Sequence, residues 1–227
     1  MALRQCYRCG ASPSSVEHFP PKAFFPKGGA LQLKTVPSCT AHNNAKSGDD
    51  QYLLACITMH AAKGDNLAKR IFLRSVAPQL RRARSFAHDV RQGSVQMDEG
   101  AVAYRLDVKR LDSFFDHLCC AIYFDRFDTQ FDERTHSVAH RYLSLTSSDP
   151  EELRSLALLA EGMRLFYDGF GALVETYEAD RIDEIVYANK IIDPVGRDAS
   201  ITIAHTFYGV FDVVSFLTLR VRTGAAA

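Results

Sequence analysis

Four residues near the N-terminus have the types and spacing of a metal site. Cys6-x-x-Cys9 and Cys39-x-x-His42 are two ligand pairs, each with two residues between its members, and 29 residues separate them. Thiolate and imidazole ligands in two such pairs close a tetrahedral structural zinc site. Glu17-His18 stands between the pairs, and Asn43 follows the second directly. Glu17 and Asn43 offer the oxygen donors that suit Mg²⁺ or Mn²⁺. An imidazole titrates near neutrality, with an ordinary pKa of about 6.5, so His18 can act as a general base. A carboxylate, an amide and a base beside a zinc clamp are equipped for metal-dependent phosphodiester hydrolysis. Plainer roles compete: buried thiols for the cysteines, a core histidine for His18, a surface carboxylate for Glu17 and a helix cap for Asn43.

The surrounding pattern says how such residues are positioned. Gly10 suits the tight turn after Cys6-x-x-Cys9. Val16 to Phe19 reads as a short extended stretch stopped by Pro20-Pro21. Leu31 to Val36 alternates and favours a second strand, and from about Asn43 the chain can be helical. The order is strand, loop, strand, helix, with ligands at the knuckles. A helix is expected over 49–63 and another over 65–90, kinked at Pro78. Residues 101–106 suggest a short strand, Leu111 to Phe124 a buried helix, and 125–137 a charged loop. Pro150 with Glu151-Glu152 marks a helix start. Strands are expected over 184–192 and 201–219, the second breaking near Gly209. His136 and His140 would share a face if helical, and a loop fits them equally.

The bulk properties narrow the function class. The chain of 227 residues, 47% hydrophobic and 24% charged, can build a sizeable core. It has no apolar run of about 18 residues, so no membrane span is expected, and a start without a secretory pattern suggests the cytoplasm. Cys56, Cys119 and Cys120 lie in apolar helical contexts and read as buried thiols. The zero net charge hides an asymmetry: residues 1–95 hold 14 Lys/Arg against 5 Asp/Glu, and 96–227 hold 13 against 22. The basic half carries the metal motif, which suits a polyanion such as nucleic acid. The two halves pairing with each other would leave the same asymmetry.

The stretch Cys6-x-x-Cys9, Glu17-His18-Phe-Pro-Pro-Lys, and Leu33-Lys-Thr-Val-Pro-Ser-Cys39-x-x-His42-Asn43-Asn44-x-Lys46 resembles the zinc-stapled HNH endonuclease family. The resemblance covers roughly residues 4–55 and implies an α+β chain. Its N-terminal ββα-metal module would span 1–60, and a helix-rich α+β region of unassigned role would span 61–227. It also implies structural zinc on Cys6, Cys9, Cys39 and His42, and a catalytic Mg²⁺ or Mn²⁺ on Glu17 and Asn43. His18 would be the general base, and the products would carry 5′ phosphate and 3′ hydroxyl ends. The expected partner is nucleic acid, DNA by preference, with Lys46, Lys34 and Arg8 on phosphates. The C-terminal region would recruit a protein or position the substrate. Three positions depart from the family pattern: His42 replaces a cysteine, Glu17 replaces the commoner Asp, and Gln32 stands near the Asn that orients the histidine. A non-catalytic zinc module is the rival reading, and a third puts the function in the C-terminal region. The arginines of 70–91 could follow a phosphate backbone or form a solvated face.

Overall fold

The computed structural model describes residues 5–28, 32–62, 64–96, 102–131, 136–147, 149–169, 173–179, 184–192 and 200–219. The fold is mixed α+β. Strands β1 (Ser15–Phe19) and β2 (Lys34–Ser38) form an antiparallel hairpin in which Glu17 pairs with Val36 and His18 with Thr35. Helix α1 (Thr40–Ala61) begins at once, with Cys39 as its N-cap residue. The hairpin and helix order is therefore present, with β2 two to three residues later than the alternation suggested, and α1 starting at Thr40, three residues before Asn43, and running on through most of the helix expected over 49–63.

Helix α1 has two characters. In its first half Thr40, Ala41, Asn44 and Gly48 are exposed, while Lys46 turns inward against the hairpin. In its second half Leu53, Leu54, Ala55 and Ile57 are almost wholly buried. The expected second helix is a broken run: α2 (Leu67–Ile71), a π-helical turn (Phe72–Val76), α3 (Ala77–Arg82) and α4 (Arg84–Arg91). Pro78 lacks a backbone donor and crowds the carbonyl four residues back, and the wider π turn ahead of it accommodates both. The sharper break falls at Ala83, which is extended.

Among the described residues of 101–106, the strand is β4 (Val102–Ala103), paired with β3 (Val95–Gln96). Helix α5 (Val108–Phe127) is capped by Asp107, whose carboxylate accepts the Lys109 and Arg110 main-chain N–H groups. The expected charged loop is split: α5 takes 125–127, residues 132–135 lie outside the described set, and β5 (His136–Tyr142) follows. His136 and His140 are thus on a strand. Helix α6 (Pro150–Gly169) starts where Pro150 predicts. Strands β6 (Leu173–Glu178), β7 (Ile185–Ile192), β8 (Ser200–Phe207) and β9 (Phe211–Leu219) join β5 in an antiparallel sheet of order β5-β9-β8-β7-β6. The β8–β9 turn breaks where Gly209 predicted, with Tyr208 and Gly209 both left-handed.

One hydrophobic cluster runs from Cys6 and Tyr7 through α1 and α5 to Leu217 of β9. Phe24, from the turn after β1, stacks within 5.6 Å of Phe114 on α5 and 5.0 Å of Phe207 on β8. The Tyr208 hydroxyl donates to the Phe24 carbonyl. The hairpin is thereby seated on α5 and the sheet, not on itself alone. No described helix is long and apolar enough to cross a membrane.

Candidate metal centre

The first knuckle is built by the chain around Gly10, which holds a positive φ of 73° while its N–H and that of Cys6 close the turn. The Tyr7 N–H donates to the Pro37 carbonyl, pinning this knuckle to β2. The second knuckle is the β2–α1 junction itself. Together they bring the Cys6, Cys9 and Cys39 sulfurs and a His42 ring nitrogen within 4.8 Å of one another. His42 Nδ1 lies 3.2 Å from Cys39 Sγ and 3.7 Å from Cys6 Sγ, and the Cys9 and Cys39 sulfurs are 3.8 Å apart. Bond lengths of about 2.3 Å to sulfur and 2.1 Å to nitrogen give tetrahedral edges of about 3.6–3.8 Å. The donor set and its spacing both fit zinc. Cys39 is already biased toward thiolate. The His42 main-chain N–H at the start of α1 donates to its sulfur and lowers its pKa to about 6.

Residues that the sequence reading missed hold this cluster on α5 and on the segment that follows it. The Tyr7 hydroxyl meets His117 Nδ1 at 2.9 Å, and Gln130 Nε2 donates to the Cys6 carbonyl at 2.6 Å. Burial pulls His117 down to about 3, so it stays neutral beside Tyr7. None of these contacts has a local signal, because each joins residues more than a hundred positions apart.

The second set lies where β1 meets α1. Ser15 and Glu17 fall on one side of the strand, and Asn43, Lys46 and Asp50 fall on one side of the helix. Asn43 Nδ2 donates to Ser15 Oγ at 3.0 Å. Lys46 Nζ donates to Glu17 Oε1 at 2.5 Å and lies 3.7 Å from Asp50 Oδ1. Lys46 is only 3% exposed and Glu17 6%. Glu17 Oε2 and Asp50 Oδ1 are buried with no hydrogen-bond partner. Burial, partly offset by Lys46, raises the Asp50 carboxyl to about 7. Glu17 Oε2 is an open donor for a cation, so the residues present can accept one there.

His18 is half-buried, faces away from Glu17 by strand alternation, and has no side-chain hydrogen bond among the described residues. Gln32 is exposed, two positions before β2, and makes no hydrogen bond to His18. The cations expected on phosphates are engaged inside the protein. Lys46 is buried as described. Lys34 bridges Asp125 at 2.7 Å and Glu175 at 2.6 Å. Arg8 donates to Cys120 Sγ at 2.8 Å and to the Asp116 carbonyl. No family model, curated protein or solved structure matches the chain.

Proposed function

We propose that this chain is a zinc-clamped, metal-dependent endonuclease acting on DNA. The observation that carries the reading is the Cys3His cluster joined to the β1–α1 interface, where Asn43 bonds Ser15 and Glu17 keeps a buried oxygen with no hydrogen-bond partner. Glu17 and Asn43 would hold a Mg²⁺ or Mn²⁺ ion, which supplies charge to polarise a phosphate and stabilise the leaving oxygen. His18, whose ring nitrogens carry no hydrogen bond among the described residues, takes the proton from the attacking water. The zinc does no chemistry in this reading; it fixes the knuckles that aim the hairpin at α1.

Supercoiled plasmid incubated with zinc-loaded protein tests this directly. Nicking should require added Mg²⁺ or Mn²⁺ and fall at least about 100-fold in His18→Ala. Intact plasmid with every added ion, from protein shown to hold zinc, would sink the proposal.

A second reading draws on the buried Lys46–Glu17 contact: an ammonium already neutralises the carboxylate that should hold the ion. The chain would then be a non-catalytic zinc module that binds nucleic acid or a protein. His18→Ala would leave its binding unchanged, whereas in the nuclease it abolishes cutting and spares binding.

A further inference from the structure

Lys46, Lys34 and Arg8 are all tied to internal partners, so a polyanion must be met by other cations. The described residues 66–96 hold seven Lys/Arg and a single acid, Asp89. Arg70 pairs with Glu184. Arg74, Arg82, Arg84 and Arg91 are exposed and make no ion pair among the described residues. On α4, Arg84, His88 and Arg91 recur at four- and three-residue spacing and form one stripe along the helix. Asp89 lies off that stripe. Ala87 and Val90 are buried, and α4 packs on α1.

We infer that the arginine face of α3 and α4 is the docking surface for a nucleic-acid phosphate backbone. The inference takes the identity of the partner from the nuclease reading, and the surface itself from the exposed cations. Guanidinium groups suit phosphate because their planar forks can donate two parallel hydrogen bonds. A membrane surface fits less well, because the apolar side of α4 is already turned into the core and its exposed residues, Arg84, Ser85, His88, Asp89 and Arg91, are all polar. The position also suits a nuclease. Gln79 on α3 bonds Gln51 on α1 at 3.1 Å, fixing this platform eight residues along α1 from Asn43. That is about 12 Å at the helical rise. The platform is thus anchored on the same helix that carries Asn43.

The test is binding of the full-length, zinc-loaded protein to a short fluorescein-labelled duplex, without Mg²⁺ or Mn²⁺, across about 50–200 mM salt. Arg82→Gln/Arg84→Gln/Arg91→Gln should weaken binding by more than about tenfold and make the salt slope shallower by about 2.7. The same three positions changed to Lys should keep most of both, because a point charge still neutralises phosphate. Arg84→Gln alone should lower the slope by about one, which serves if the triple variant folds poorly. Wild-type affinity and slope in the Gln variants would overturn the inference. So would wild-type protein that binds phosphatidylserine vesicles and not the duplex, or neither. Plasmid cleavage separates the two proposals. A protein that binds through these arginines and never cuts loses the nuclease reading alone. One that cuts while the Gln variants bind as wild type loses the docking surface alone.

Discussion

The Cys3His cluster and the polar chain inside the sheet use similar residues to opposite ends. In the cluster, three sulfurs and an imidazole converge, and their close polar neighbours are largely one another. At the sheet, Asp116 of α5 meets His140 Nε2 at 3.0 Å, and His140 Nδ1 meets Ser215 at 2.8 Å. Ser215 then meets His205 Nε2 at 3.1 Å, and His205 Nδ1 meets Tyr187 at 2.7 Å. That succession of Asp, His and Ser has the order of a catalytic relay, yet Ser215 and His205 are wholly buried. No substrate can reach the serine hydroxyl without opening the sheet. Every link of the chain has a partner, so it stabilises packing. Ligand atoms that converge with their lone pairs unspent ask for a cation. Residue types alone do not separate the two cases; satisfaction of their hydrogen bonds does.

The largest effect should come from the cluster. Cys39→Ala should abolish stoichiometric zinc in a metal assay and cost more than about 4 kcal/mol in urea unfolding, since metal binding is folding free energy. Cys56→Ala, a buried thiol away from the cluster, should keep zinc and cost about 1–3 kcal/mol. Equal zinc loss in both would erase the distinction between the two regions.

Next comes the buried ion pair, which lies between the two extremes because two carboxylate oxygens there lack partners. Lys46→Met should cost about 3–5 kcal/mol by stranding Glu17. The double variant Lys46→Met/Glu17→Leu should recover most of that loss, as read by chemical denaturation. Added Mn²⁺ should stabilise Lys46→Met more than wild type if the ammonium and an ion compete for Glu17.

The sheet chain should reveal itself through pH. Burial lowers His205 to about 3 in the folded protein, against about 6.5 unfolded. The unfolded chain therefore binds more protons between those values, and stability falls as pH drops from about 6.5 toward 3. His205→Gln should flatten that decline in denaturation series run between the two limits. A residual slope is expected from His117, which burial lowers in the same direction. The smallest effect should be Ser215→Ala, about 1–3 kcal/mol with zinc content unchanged, because it only removes a link between two buried imidazoles. A larger loss of zinc than of stability would mean that the two regions are coupled.

Much of the N-terminal architecture was legible because its signals are local. The paired ligands, the Pro20-Pro21 stop and the switch from alternating to helical pattern each act within a few residues. The broken α2–α4 run was only half legible: Pro78 announced a disturbance, and the extended Ala83 that makes the sharper break carries no mark of its own. Strand β5 was hidden because its charged and histidine-rich residues look like a loop until pairing with β9 buries His140. The basic half of the chain was equally plain, but which of its cations remain available was not.

The sequence by itself determined that a zinc-type cluster would sit beside an acidic-histidine hairpin and a helix, since spacing along the chain controls knuckles, turns and helix starts. Only the tertiary structure decided which charges are spent. Lys34 finds Glu175 across 141 positions, and Arg8 finds Cys120 across 112. Ion pairing depends on distance in space, and no local period encodes which residues folding will bring together.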